Sequence, residues 1–242
     1  MLHRLRRHLV PVSAHFGHSL VLAYACPADS LEPLLPGRLM LDRHGDYGLG
    51  AAAFVQTEKL RPSFLPRGLG TSFFLAGYRL FVRVRDAPSL RGLYVLRSDT
   101  DRRVMEALGN ALTHYRYSLA EARVAEAPGR LGVEVRTPAG EADVDVVADL
   151  EAKAELPTGS PFATLDEARR FAGPLPYTFD VERETGAIVA VRGVRAGWEP
   201  RPVSVDVSRV AFFEREPFVG AVLANAFHVA DVDYRWERGR TL

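Results

Sequence analysis

The tightest constraint on this chain is a period of two. "FFLAGYRLFVRVR" (residues 73–85) sets Tyr78, Leu80, Val82 and Val84 on one side and Arg79, Phe81, Arg83 and Arg85 on the other. That is a strand with two different faces. The same alternation runs through "HSLVLAYA" before Pro27, through "RLMLD" and "YGLGAAAFVQ" on either side of a turn at "RHGD", and through "RGLYVLRS". It resumes in "RLGVEVRT" and "EADVDVVADLE", which read as a hairpin across "PAG". "YTFDVERETGAIVAVRGV" reads as another, turning at Glu184-Thr185-Gly186. "PVSVDVSRVAFFE" and the tail "HVADVDYRW" complete the strands.

Helical signals interrupt the alternation. Val104, Leu108, Leu112 and Tyr115 fall at helical spacing, with Asp99, Thr100 or Asp101 available to cap the start. "TLDE" at Thr164 is a capping box that opens a second short helix, and "PADSLEPLLP" is a helical turn between prolines. Many antiparallel strands with a few helices define an α+β, mainly antiparallel β fold, a closed or double-sheeted barrel. No linker, repeat or low-complexity tract divides it, so one domain over residues 1–242 is expected. "RPSFLPRGLG" (residues 61–70) reads as a long loop between strands, and loops of that length are more often functional than decorative.

Composition narrows the function. With 242 residues, 47% of them apolar, the chain can bury a large core, and its net charge of +1 provides no field for nucleic acid or a membrane surface. No apolar run approaches the roughly 18 residues of a membrane helix. "MLHRLRRHLV" is followed by Pro11 and His15 where a secretory signal needs an apolar core, so a cytoplasmic location is expected. Cys26 is the single cysteine, which excludes an intrachain disulfide; beside Pro27 it reads as a quiet, buried thiol. Only Lys59 and Lys153 are lysines, so any Schiff-base mechanism has two candidates.

"GLGAAA" (residues 48–53) imitates a dinucleotide fingerprint, but turn formers precede it and no acid lies near twenty residues downstream. Its glycines read as a close approach within a strand, and no cofactor is expected. His15 and His18 lack a third ligand at metal spacing, so no metal is expected either. From Lys59 to Arg85 there are six basic residues and no acid. They are either solvated charge on an outer face, or Arg79 and Arg83, with Phe81 between them, look into a barrel and clamp an anion. The two arginines stand about 13 Å apart along a strand, so one should clamp and the other pair with a buried acid.

"NALTHYRYSLAEA" (residues 110–122) gathers His114, Tyr115, Arg116 and Tyr117 where the helical pattern stops. His114 and Arg116 can look into a site, or form the solvated last turn of a helix, where cations are favoured.

In order along the chain, "LVLAYACPADSLEPLLPGRLMLD", "GYRLFVRV", "RGLYVLRSDTDRRV", "TLDEARRFAG" and "VDYRWERG" resemble the DUF2071 family, with its YqjF-like group, within the acetoacetate decarboxylase-like superfamily. The resemblance spans residues 11–239 and implies a barrel with a central cavity. In the decarboxylases a Pro-Lys-Lys motif after a helix supplies the Schiff-base lysine; the matching positions here are Thr113, His114 and Tyr115. An arginine that follows the first-strand tyrosine is replaced by Ala25 after Tyr24, and an acid of the next strand falls near Gly50. Decarboxylation through an imine is therefore not expected. One reading is a binding protein for a small carboxylate or similar anionic, partly apolar ligand, contacted by Arg79, Phe81, Arg83, His114, Tyr115, Arg116 and Tyr117. Another is a lyase, hydratase or hydrolase using His114 and Tyr115 in the same cavity. A purely structural or partner-binding role, and a homo-oligomer, stay open.

Overall fold

A computed structural model describes residues 2–182 and 184–242, with side chains from Arg4 onward. The alternating segments become fifteen strands: β1 (Val12–Pro27), β2 (Leu39–Leu41), β3 (Tyr47–Pro62), β4 (Thr71–Val84), β5 (Ala87–Thr100), β6 (Tyr117–Leu119), β7 (Glu121–Ala127), β8 (Arg130–Arg136), β9 (Val144–Asp149), β10 (Tyr177–Val181), β11 (Ile188–Arg195), β12 (Arg201–Pro202), β13 (Ser204–Val210), β14 (Val222–Trp236) and β15 (Arg240–Thr241). Among the described residues three α-helices join them: α1 (Ala28–Leu31), α2 (Arg103–Leu112) and α3 (Leu165–Ala172).

Strands β14, β1, β3, β4, β5, β10 and β11 are neighbours in that order, and β11 pairs back onto β14, so the sheet closes into a ring. Every neighbour in the ring is antiparallel except β5 and β10. Register shifts at Phe16/His18 on β1, Thr57/Leu60 on β3 and Val95/Arg97 on β5 add the bends that closure requires. A second antiparallel sheet, β13-β9-β8-β7, packs on the outside of the ring. The outward faces of Leu20, Leu22, Phe54 and Leu80 meet Leu131, Val133, Val144 and Val146 there, and the Tyr78 hydroxyl donates to Ala142 O at 3.1 Å.

The ends of the ring differ. At one end α3 inserts Ala168 and Ala172 against Leu49, Phe81 and the small residues Ala23, Ala25 and Ala224, which leave room for a plug. Thr164 caps α3, accepting from Glu167 N at 3.1 Å while Glu167 accepts from Ala163 N at 2.8 Å, the expected capping box shifted by one residue on its return arm. At the other end α2 crosses the rim. The expected caps are otherwise engaged: Asp99 is buried against Arg97, and Asp101 accepts from Phe74 N. Val104, Leu108 and Leu112 form the anticipated stripe but stay half exposed, and the buried positions of α2 are Met105 and Gly109. The stripe faces the opening of the barrel and not its core.

The hairpin between β10 and β11 turns where expected, with Gly186 at φ 70°; Arg183 lies outside the described residues. "GLGAAA" lies inside β3, where a Cβ on Gly50 would stand 2.6 Å from the Phe213 ring. Cys26 is buried in the outer core, and burial pushes its thiol up to about 12. No helix among the described residues is long and apolar enough to cross a membrane.

Candidate functional site

Inside the ring lies a cavity of about 470 Å³. The inward faces of β1 (Phe16, Ser19, Val21), β3 (Ala51, Ala53, Val55) and β4 (Phe73, Leu75, Arg79, Phe81) make most of the wall. Tyr115 and Tyr117 enter from the segment after α2, Arg195, Tyr234 and Trp236 from the strands that close the ring, and Trp198 from the segment after β11.

Arg79 is the singular feature of that wall. Its guanidinium folds back over Gly77, where a Cβ would meet Nη2 at 2.9 Å, so the missing side chain provides the groove in which it lies. Among the described residues no carboxylate pairs with it. Burial lowers its pKa from the usual value, and the phenols of Tyr234, Tyr115 and Tyr117 act in the opposite direction. An arginine stays charged even so, and this charge is held in a largely apolar chamber. Burial raises the three phenols in turn, Tyr117 to about 12, so each keeps its proton and can donate. Arg195 differs: it donates to Pro174 O at 3.1 Å, lies over the Trp198 ring at 4.7 Å and bonds to Tyr234.

Local sequence explains how the tyrosines arrive. Thr113 leaves α2 in extended conformation, with its hydroxyl donating to Gly109 O at 2.7 Å. Asn110 reaches across from α2 and holds the Tyr117 backbone on both sides, each bond 2.8 Å. Arg116 takes the left-handed φ of 54° between them. The turn sends Tyr115 and Tyr117 toward the cavity and His114 and Arg116 away from it.

His114 and Arg116 accordingly line a second pocket of about 460 Å³ with Arg6, Tyr94, Asp180 and Glu184; Thr113 borders both spaces. Arg116 donates to Leu96 O and to the Tyr94 hydroxyl, each at 3.3 Å. Arg83 is also outside the cavity. It shares a face with Arg79 but lies four residues nearer the plug, where buried Asp42 accepts from its Nε at 2.6 Å and from Arg91 Nε at 2.5 Å. Of the seven residues proposed from sequence, Arg79, Phe81, Tyr115 and Tyr117 therefore meet at the cavity, and Arg83, His114 and Arg116 do not.

The imidazole on the cavity wall is His8, which sequence reasoning missed, as it did Arg195, Trp198 and Tyr234. His8 packs its ring on Tyr115 with centroids 5.1 Å apart. Nε2 of His8 and of His114, the Tyr115 hydroxyl and Oδ2 of Asp180 are all buried without a hydrogen-bond partner among the described residues. They form one group: His114 acts electrostatically on both His8 and Asp180, and Asp180 on Tyr115. Burial, then His114, holds the His8 imidazole down at about 4. Its folded value lies below the unfolded one of about 6.5, so its stabilising contribution is complete above pH 6.5 and is lost as pH falls toward 4. Corrected for its intrinsic slowing with falling pH, amide exchange over residues 4–10 should thus lose protection between pH 6.5 and 4.5, and His8→Phe should flatten that loss. Equal pH dependence in both proteins would refute this.

His15 and His18, three residues apart on β1, take separate partners. His15 bonds to Asp233 at 3.1 Å, whereas His18 joins His228 at 2.9 Å and Glu126 at 3.1 Å. Lys59 and Lys153 are both exposed, and neither borders the cavity.

Solved structures of acetoacetate decarboxylase-like proteins superpose on this seven-stranded barrel. An acetoacetate decarboxylase from Legionella pneumophila matches with a TM-score of 0.64 at 13% identity, covering 97% of this chain and 88% of its own. The enduracididine biosynthesis enzyme MppR, complexed with pyruvate, matches with a TM-score of 0.61 at 14% identity, covering 96% and 90%. An acetoacetate decarboxylase-like enzyme from Sphingomonas wittichii gives 0.59 at 12% identity, covering 98% and 94%. At these identities the likeness is one of fold. The DUF2071 profile, described as an uncharacterized conserved protein, matches residues 13–232, and the chain belongs to that family. No curated protein sequence matches it.

Proposed function

We propose that this protein, acting as one domain over residues 1–242, binds a small, partly apolar carboxylate in the barrel cavity without forming an imine. The observation that carries the reading is Arg79: a guanidinium enclosed by apolar wall, faced by three protonated phenols and matched by no carboxylate among the described residues. An uncompensated charge in such surroundings costs several kcal/mol, and a bound anion removes that cost while gaining a charge-assisted hydrogen bond. That pyruvate sits in MppR, a protein of the same fold, agrees with a ligand of this class.

The test is direct. Trp198 and Trp236 are the two tryptophans of the chain and both border the cavity, so intrinsic fluorescence should report occupancy. Butanoate and benzoate should quench or shift it saturably. Arg79→Met should weaken binding by tenfold to about 150-fold, the equivalent of ~1.5–3 kcal/mol for a hydrogen bond to a charged group. Arg83→Ala should leave it unchanged, because Arg83 belongs to Asp42. If Arg79→Met binds carboxylates as the parent does, the reading falls.

The absence of imine chemistry has its own check. With Lys59 and Lys153 on the exterior, acetoacetate followed by borohydride should leave the intact mass unchanged. A stable adduct accompanied by turnover would reverse that conclusion. Acid–base catalysis is a second reading, favoured by polar atoms of His8, His114, Tyr115 and Asp180 that have no partner among the described residues. Its signature would be ligand conversion that His8→Gln abolishes without weakening binding.

A further inference from the structure

The cavity is not sealed at the end opposite α3. Six apolar side chains on its lining are also exposed on the outer surface: Leu5, Leu9, Val10, Leu69, Leu108 and Leu112. Leu69 is 69% exposed, Leu108 50% and Leu112 47%. Leu69 ends the loop over residues 61–70, Leu5, Leu9 and Val10 belong to the N-terminal segment before β1, and Leu108 and Leu112 are the stripe of α2. Three separate segments thus present leucine to solvent around one opening, where soluble surfaces normally place polar groups.

Charge and depth define what fits between that rim and Arg79. Arg195 is already engaged by Pro174 O, Tyr234 and Trp198, and Arg61, on the rim end of β3, donates to Leu65 O and Lys59 O, so among the described residues Arg79 is the uncommitted cation on the lining, and the site suits a single negative charge. The Arg79 guanidinium lies against Gly77, six residues from Thr71 at the rim end of β4. At about 3.3 Å per residue and a strand tilt of roughly 40°, that is a depth of about 15 Å. An extended alkyl chain covers it with about ten to twelve carbons, at roughly 1.3 Å per carbon from tetrahedral C–C bonds. The wall between is Val55, Phe73, Leu75 and Val95, with no charged side chain.

We propose that the ligand is a medium-chain, single-headed amphiphile, a free fatty or arylalkyl carboxylate of about ten to twelve carbons. Its head lies on Arg79 and its tail runs out to the leucine rim. This rests on the reading of the barrel as an anion site and adds the tail.

The experiment is a chain-length series, butanoate to dodecanoate, each below its critical micelle concentration, read by the fluorescence of Trp198 and Trp236. Kd should fall about fourfold per added methylene, the equivalent of ~0.8 kcal/mol each, and level off near ten to twelve carbons. Methyl decanoate, which lacks the charge, should bind at least tenfold more weakly than decanoate. Leu108→Ser, at an exposed position and so compatible with folding, should weaken decanoate severalfold and leave butanoate untouched.

A Kd that Arg79→Met raises but that does not change from butanoate to decanoate would keep the anion site and overturn the tail. Decanoate and methyl decanoate binding alike, with Arg79→Met without effect, would overturn both. Chain-length independence together with a dimer that Leu108→Ser dissociates would assign the rim to a second copy of the chain and also overturn the proposal.

Discussion

Replacing Asp42 with alanine is expected to lower the melting temperature by roughly 6–12 °C, from a loss of about 3 kcal/mol in a chain of this size. Asp42 is 1% exposed and accepts from Arg83 Nε and Arg91 Nε on neighbouring strands. Arg91 in turn donates to Phe171 O at 3.2 Å and lies over the Phe171 ring, so the carboxylate ties β4 and β5 to the helix that plugs the barrel. Deleting it removes two charge-assisted bonds. The loss is smaller than for a fully buried pair because both arginines are between a quarter and a third exposed and regain water. A calorimetric shift under 2 °C would mean the hub is dispensable.

Arg79→Met is expected to act in the opposite direction on the ligand-free protein, raising its melting temperature by roughly 3–8 °C. Methionine fills a similar volume without a charge to desolvate, and exchanging buried ionic groups for apolar ones of like size is neutral or stabilising by ~1–4 kcal/mol. Carboxylate binding should be lost in the same variant. Stability gained and binding lost together are the mark of a residue kept for its ligand; a lowered melting temperature would identify Arg79 as structural.

Periodicity revealed the face of each strand but not its depth. Arg79 and Arg83 share a face, and the alternation of β4 is unbroken across both, yet β4 runs on past the cavity to the plug. Nothing in a pattern of two says where along a strand the space ends. The helical period misled in a different way, because it carried the stripe of α2 through to Tyr115. The helix stops at Leu112, and the left-handed Arg116 sends His114 to the far side of the turn. His8, Arg195, Trp198 and Tyr234 carried no local signal. They reach the site through the N-terminal turn and the β11–β14 pairing, contacts between segments distant in sequence that no short window contains. Helical spacing groups Leu108 and Leu112 on one face but does not say that this face borders an opening, for the same reason.

The ring of seven has an arithmetic consequence. Directions that alternate up and down around a circle return consistently to the start only when the count is even, so an odd ring must contain at least one pair running the same way. Here that pair is β5 and β10. Two neighbours with a common direction cannot be joined by a tight turn, and the chain from the end of one must travel the barrel's full height to begin the next. Residues 101–176 make that journey and carry α2, the outer strands β7, β8 and β9, and α3 on the way. The helix at the rim and the helix at the base are thus two stations on one excursion, a geometric debt of the odd number that also furnishes the vessel with both its lip and its stopper.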